Sequence, residues 1–446
     1  MKKICYLAAA LLVTALALSG CHRHVSAAPA TCTEAEICTE CGKVMTEALG
    51  HDPGPEATCA APQVCQRCGI ELSPQLPHTS AEPATCTEPE ICAVCGAVMS
   101  PALGHTVGED GVCAACGQQV VPAGQKYIAP GKGGAVSSDD AASVTAETAA
   151  DGHYHNNIAA YYANAVLVCG DYGVEYFAPD PSGSSAYADT VNQFAAKYPN
   201  IHVSCLITPK SCAYHSPADY DDPHDAVASF IKSTYAMMDS SVTTVDCMGL
   251  MDQHVGEYMF YRTDHHWTSL GAYYASAAYC QANGITPWTL DSYDTVIRTG
   301  YTGSLYMYGD HPAELTANPD YSVARFPHAG YAMVYYRDGV QYNGQAVNGG
   351  TNEYAGMFLC GDQPLTVITT DNKNGKTLLV FKESYGNAFV PYMIDYYEQI
   401  VVVDIREDVG SVSDIIARYG VTDALIINNY QAVGSLRGSL ENRALS

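Results

Sequence analysis

The sequence predicts a three-layer α/β domain around a mainly parallel sheet, with a β-rich or loop-rich insertion, preceded by small cysteine-rich repeats. Short apolar runs of strand length alternate with helical patterns between residues 165 and 427, the order that parallel strands with crossover helices require. Of 19 cysteines, eleven lie between Cys32 and Cys116 and only six follow residue 120, so two kinds of architecture share one chain. A length of 446 residues at 48% apolar leaves room for one large core and something small. The 47 acidic against 21 basic residues give a net charge of −26. That balance argues against nucleic acid as a partner, because phosphate neutralisation by Lys and Arg is the main term in such binding.

At the start of the chain, Lys2 and Lys3 precede an apolar run over residues 6–18. It is long enough for a signal peptide and short for a bilayer-spanning helix. The run ends in Leu18-Ser19-Gly20-Cys21, which resembles a bacterial lipobox and implies a signal over residues 1–20 and a lipidated Cys21. An ordinary secretory signal cleaved near Ala27 is the alternative. Both export the chain, and no later apolar run of about 18 residues offers a second anchor.

Residues 21–121 carry the repeats. Cys32, Cys59 and Cys86 open units with a period of 27 residues; Cys38, Cys65 and Cys92 follow, then Cys41, Cys68 and Cys95, then His51, His78 and His105. A truncated fourth unit holds Cys113 and Cys116 without a histidine partner of its own. Two cysteines two residues apart and followed by glycine form a knuckle, and a third cysteine plus a histidine complete a tetrahedron suited to structural Zn²⁺. Disulfides are the rival in an oxidising compartment, and redox chemistry is a third reading. An odd number of cysteines per unit and the recurring histidine weigh against simple internal pairing. These units are too short to bury a core, so stapling is what orders them. The CxxCG and Leu-Gly-His elements resemble short repeats of gut Firmicutes surface proteins.

A stretch rich in Gly, Ser, Ala, Asp and Thr over residues 122–152 reads as a flexible linker, and the large domain is expected over residues 153–432 with a tail at 433–446. Within it, residues 165–169 form an apolar run ending in Gly170-Asp171, the pattern of a buried strand that delivers a loop before a helix, and Gly170 and Asp171 are expected to line the same sheet edge as the candidate site. Tyr187, Val191, Phe194, Ala195 and Tyr198 share a helix face that Pro199 closes. Strands are expected at 201–207, 242–247, 377–381, 399–404 and 424–427, and helices at 221–238, 387–397 and 412–419. Residues 301–360, rich in Tyr, Gly and Asn, break this rhythm and read as an inserted lobe with a hairpin near 332–342.

Two segments carry the candidate chemistry. Tyr261-Arg262-Thr263-Asp264-His265-His266-Trp267-Thr268 bunches polar groups before a helix, and Lys382-Glu383-Ser384-Tyr385-Gly386-Asn387 follows a strand as a sharp turn into a helix. A serine at such a turn has the outline of a nucleophile elbow, with helix amides available to an oxyanion. Asp264 two residues before His266 is placed to bind its Nδ1 proton and leave Nε2 for Ser384. A helix cap at Asp264 and packed histidines are the alternative reading.

The string Asp264-His265-His266-Trp267, with residues 382–391, resembles the signatures of the DHHW protein family over roughly residues 160–430. That family is similar to the SGNH-hydrolase-like proteins of alginate O-acetylation. The resemblance implies an SGNH-hydrolase-like fold, Ser384 as nucleophile, His266 as base and Asp264 as its orienter. Asn387, Gly386, Asp171, Arg262, His265 and Trp267 are the candidates for oxyanion or substrate contacts, with Asn428 and Asn429 behind them. Lys382 and Glu383 stand where the glycine and aspartate before an SGNH serine are usual. The expected function is serine O-acyl transfer or acyl-ester hydrolysis on a cell-envelope or secreted glycan, with a membrane acyl-donor protein as a further partner. No nucleotide loop is found, so no cofactor is expected for the large domain. A non-catalytic binding lipoprotein on the same fold is the second expectation.

Overall fold

The computed structural model describes residues 23–86, 88–100, 103, 107, 112–120, 125–129, 160–217 and 223–446. The expected signal peptide, Cys21, His105 and most of the linker lie outside them. The chain divides into two compact units, residues 1–103 and 104–446.

In the first unit each CxxCG knuckle sits at the turn of a small antiparallel hairpin: Glu36–Ile37 with Val44–Thr46, Gln63–Val64 with Glu71–Ser73, and Glu90–Ile91 with Val98–Ser100. The glycine is required by backbone geometry. Gly42, Gly69 and Gly96 have φ of +70°, +73° and +73°, and each donates its N–H back to the knuckle's first cysteine at 2.9 Å. Val64, Ile70, Ile91 and Val98 are exposed whereas Cys32, Cys38, Cys59, Cys65 and Cys92 are buried, so the sulfurs stand where a core would be.

The ligand sets expected within single repeats are corrected by the structure. The converging groups are Cys32, His51, Cys65 and Cys68, and again Cys59, His78, Cys92 and Cys95, each set with its ligand atoms within 4.8 Å of one another. The backbone explains the exchange. Gly50 donates to the carbonyl of Cys32 at 3.1 Å, folding His51 back beside the first cysteine of its own repeat. Gln66 donates to the carbonyl of Asp52 at 2.8 Å, which brings the next repeat's knuckle to the same place. Cys38 and Cys41 meet His24 instead.

The second unit is an α/β domain. Among the described residues its central sheet has nine strands. Val242–Val245, His202–Thr208, Asp423–Asn429, Thr377–Lys382 and Gln399–Asp404 run parallel in that spatial order. Leu365–Thr370, Tyr331–Arg337 and Val340–Gly344 continue it antiparallel. The inner parallel strands are buried on both faces along nearly their whole length, as a sheet covered by helices on both sides demands, whereas the edge strand Val242–Val245 exposes Thr244. Helices Pro181–Lys197, His224–Tyr235, Tyr430–Ser435 and Arg437–Ala444 pack together, and Ser269–Ala282 packs with Gly386–Met393. Nine of the largest fully buried side chains among the described residues are tyrosines, so much of the tyrosine enrichment serves packing.

Three expectations are revised. The run at 165–169 is a strand, Val166–Cys169, but it belongs to a separate antiparallel sheet with Ala160–Ala163 and Tyr172–Glu175. Gly170, at φ +61°, and Asp171 form a two-residue turn that sends the chain straight back, leaving no crossover to a parallel neighbour. The hairpin near 332–342 exists, turned by Asp338-Gly339 at φ +52° and +74°, yet it extends the central sheet instead of forming part of a separate lobe. Within the linker, Tyr127–Ile128 pairs with Tyr331 and Ala332, and the Tyr127 hydroxyl donates to Asp371 at 2.6 Å, so this part is an edge strand.

The charge of Lys382 in the elbow strand is neutralised. Its Nζ is buried and reaches Asp404 at 2.8 Å and Asp362 at 3.1 Å, and Arg406 closes the network on both carboxylates. Burial opposes ionisation of Asp404, but the bonds from Arg406 and the charge of Lys382 prevail and hold it below the usual carboxylate range. Removing one member of such a group leaves a buried charge short of a partner. Lys382→Met is expected to destabilise the domain by about 3 kcal/mol, read as a lower urea midpoint at unchanged slope; an unchanged midpoint contradicts the assignment.

Candidate active site

Ser384 follows the C-terminal end of the strand Thr377–Lys382, in the middle of the sheet, where open α/β sheets present their ligand crevice. The helix Gly386–Met393 begins two residues later. A Cβ on Gly386 would lie 2.5 Å from that of Lys382, so glycine is what lets the helix start so close to the strand.

His266 Nε2 stands 2.7 Å from Ser384 Oγ, and His266 Nδ1 stands 2.7 Å from Asp264 Oδ1. An ionised carboxylate only accepts, which assigns the proton to Nδ1 and leaves Nε2 to accept from the serine hydroxyl. Tyr354 stacks on the His266 ring with centroids 3.9 Å apart and planes 10° apart, and its hydroxyl donates to the carbonyl of Ser384 at 2.8 Å. One side chain therefore fixes both partners.

Asp264 is buried and accepts four hydrogen bonds. Oδ1 takes the backbone N–H and Nδ1–H of His266, while Oδ2 takes the Tyr301 hydroxyl at 2.8 Å and the Ser304 N–H at 2.9 Å. Burial alone would raise its pKa; the charge and hydrogen bonds of His266, with the Ser304 amide, outweigh that and hold it far below the usual carboxylate range. Tyr301 shifts the other way, kept protonated by burial and by the Asp264 carboxylate. Asp264 does not cap the following helix. That task falls to Thr268, whose side chain accepts from Leu270 and Gly271.

The remaining candidates divide. His265 lies beside the pair, its ring 3.8 Å from that of His266, and burial together with that neighbour pushes its pKa down to about 3, so it is neutral near pH 7. Trp267 is fully buried and donates to the carbonyl of Tyr385 at 3.0 Å, which makes it packing and not a substrate contact. Arg262 is likewise buried, its guanidinium donating to the carbonyls of Asn318 and Pro319 beside Asp320. Asp171 lies on the separate hairpin and accepts from Asn318 at 2.9 Å. Asn387 directs its amide to Asp362 at 2.8 Å. Asn428 accepts from Tyr187, and Asn429 caps the helix Tyr430–Ser435. At the elbow, Tyr385 N–H donates to Glu383 Oε2, Gly386 N–H to the carbonyl of Glu383 and Asn387 N–H to that of Ser384. Glu383 is buried, with Oε2 3.3 Å from Ser384 Oγ and Oε1 accepting from Asn429 N–H at 3.0 Å.

Sequence reasoning missed Tyr301 and Ser304, which orient Asp264 from the inserted lobe, and Asp320, which shapes its loop. Asp320 is fully buried and accepts from the backbone N–H groups of Arg262 and Thr263, each at 2.8 Å. Buried Lys210, paired with Glu175 and donating to Gln431 at 2.9 Å, was missed too. Asp264, His265 and His266 offer ligand atoms near enough to hold an ion, but bonds among themselves and to Ser304 and Ser384 already engage them.

The depressed Asp264 has a pH consequence. Its stabilisation is complete above the unfolded value of about 3.9 and is lost as pH falls toward its lower folded value. Between pH 7 and pH 3 the wild type is therefore expected to lose about 1 kcal/mol more stability than Asp264→Asn, measured by urea unfolding at both pH values; equal losses contradict the depressed carboxylate.

Comparison with known proteins bears on the family and the fold. The family model for DHHW protein matches residues 152–403. A DHHW family protein from Eubacterium siraeum DSM 15702 is similar at 29% identity and a TM-score of 0.59, over 65% of this chain and 99% of that one. Bacillus cereus PatB1 with a sulfonyl adduct aligns at 16% identity and a TM-score of 0.49, over 63% and 97%. The O-acetyltransferase domain of Pseudomonas putida AlgJ aligns at 15% and 0.36, over 64% and 99%. A search of curated proteins finds no match. With more than half of its length matched by the family model, the chain belongs to the DHHW protein family.

Proposed function

We propose that this protein is a serine-dependent O-acyltransferase or acylesterase acting outside the cytoplasmic membrane on a cell-envelope or secreted glycan. The observation that carries the reading is the continuous relay from Ser384 Oγ through His266 to buried Asp264, with 2.7 Å at both links.

In this reading Ser384 Oγ attacks the carbonyl carbon of an acyl ester while its proton passes to His266 Nε2, and Asp264 stabilises the imidazolium that results. Collapse of the tetrahedral intermediate expels the donor's oxygen, which takes the proton back from His266 and leaves an acyl-serine. A sugar hydroxyl or a water then gives its proton to His266 and attacks the acyl carbon. Expulsion of Ser384 Oγ and return of its proton complete the cycle. The lipobox-like Leu18-Ser19-Gly20-Cys21 supports a membrane-held enzyme, which suits a surface polymer as acceptor; delivery of the acyl group by a membrane donor protein belongs to the same proposal. Among the described residues no helix is long and apolar enough to cross a membrane. For the repeats we infer Zn²⁺, held by the three thiolates and one imidazole of each four-residue cluster.

A second reading, a surface binding module without turnover, draws on a specific observation. The elbow amides that would meet an oxyanion donate within the elbow, and the Glu383 carboxylate stands beside Ser384. One experiment separates the two. The purified chain is treated with a serine-directed fluorophosphonate and with an activated acetyl ester, alongside Ser384→Ala and His266→Ala. The enzyme reading expects labelling and acetate release by the wild type, neither from Ser384→Ala, and a rate loss on the order of 10²–10⁴-fold for His266→Ala. A folded wild type that neither labels nor releases acetate favours the binding module.

A further inference from the structure

We propose that each zinc ion is shared by two successive repeats, so that the metal is the joint between units and not the core of one. This rests on the zinc reading of the repeats and extends it to which residues share an ion and to what the ion does for the array.

The two complete clusters have identical spacing. From Cys32 the partners stand 19, 33 and 36 residues on, at His51, Cys65 and Cys68; from Cys59 they stand at the same intervals, at His78, Cys92 and Cys95. Their separations are those of a tetrahedron's edges. Cys32 and Cys65 sulfurs are 3.7 Å apart and those of Cys59 and Cys92 3.5 Å, while Cys68 lies 3.4 Å from His51 Nδ1 and Cys95 3.4 Å from His78 Nδ1. A Zn–S bond of about 2.3 Å with a Zn–N bond of about 2.0 Å places tetrahedral ligands roughly 3.5–3.8 Å apart. The backbone N–H of Asp52 also points at Cys65 Sγ, 3.3 Å away, as a donor supporting a thiolate would.

Besides the ion, each joint is held by a short backbone ladder: Gly54 N–H to the carbonyl of Val64 and Gln66 N–H to that of Asp52 at the first, and Ala81 N–H to that of Ile91 and Ala93 N–H to that of Thr79 at the second. The apolar residues around it, Val64, Ile70, Ile91 and Val98, are exposed, so little hydrophobic area is buried between units. At the first joint Arg67 reaches back to the carbonyls of Leu49 and Gly50 at 2.9 and 3.1 Å. At the second joint the equivalent position is Val94, 71% exposed, so this guanidinium brace is missing and the ion carries more of the connection. A single repeat holds only half a ligand set for each neighbour and orders as part of an array. The array is then a strut whose stiffness depends on zinc.

The test is zinc stoichiometry of the purified full chain after dialysis, measured for the wild type, Cys59→Ser, Cys92→Ser and two double variants. Sharing between repeats predicts that each single variant loses one equivalent, that Cys59→Ser with Cys92→Ser still loses one, and that Cys59→Ser with Cys65→Ser loses two. If the first double variant loses two equivalents and the second loses one, each ion belongs to a single repeat; the proposal is overturned while the zinc reading stands. A wild type that holds no zinc after reduction and reloading, or whose repeat cysteines resist alkylation as disulfides, overturns both.

Discussion

The buried carboxylate of Asp264 is the constraint on which the rest of the site depends. A carboxylate removed from water persists as an anion only if its oxygens are met by donors, and the four donors here come from separate pieces of chain. Two belong to His266, and the others come from Tyr301 and Ser304 across the inserted lobe. To bring Ser304 N–H to Asp264, the lobe passes so close that a Cβ on Gly303 would fall 2.3 Å from the aspartate's own. A second fully buried acid, Asp320, holds the loop from behind through the amides of Arg262 and Thr263. The ribbon of Asp294–Tyr301 with Asp320–Phe326 thus supplies both a donor to Asp264 and the brace of its loop.

The sheet supplies the other half of the site. Ser384 leaves a strand with two parallel neighbours, and the strand's last residue, Lys382, anchors its side chain among Asp362, Asp404 and Arg406. Asn387, bonded to Asp362, ties the start of the following helix to the same network. The residues that depart from the usual SGNH pattern are therefore built into the elbow. Lys382 is neutralised by ion pairing, and Glu383 accepts from Tyr385 and Asn429 while standing next to the serine. The serine itself remains partly accessible, and that access is what an acyl donor requires.

Much of this was legible in the sequence, and what was not has identifiable causes. Asp264, His266 and Ser384 could be picked out because local strings mark them, two residues apart and at a strand-to-helix turn, and the DHHW resemblance linked the two strings; the structure brings the three side chains within hydrogen-bond reach. Tyr301 and Ser304 could not, because they meet Asp264 only through a lobe whose approach no periodicity describes. Arg262 and Trp267 drew attention by standing within the motif, yet burial gives them to the framework. The alternation of strands and helices located the parallel sheet, but sheet membership depends on turns: the Gly170-Asp171 turn diverted one strand to another sheet, and the hairpin at 331–344 joined the main one. In the repeats a constant period concealed which unit donates which ligand, since a shift of one unit preserves every interval.

The most direct test of the account is to incubate the purified chain with an activated acetyl ester, quench it with acid and map the peptide carrying Ser384 by mass spectrometry. The account predicts one acetyl group on Ser384 in the wild type, accumulating more slowly in Asp264→Asn and absent from Ser384→Ala. A folded wild type with no acetyl group on that peptide, or with acetylation unchanged when Asp264 or His266 is replaced, would contradict a serine activated through the histidine and its buried carboxylate.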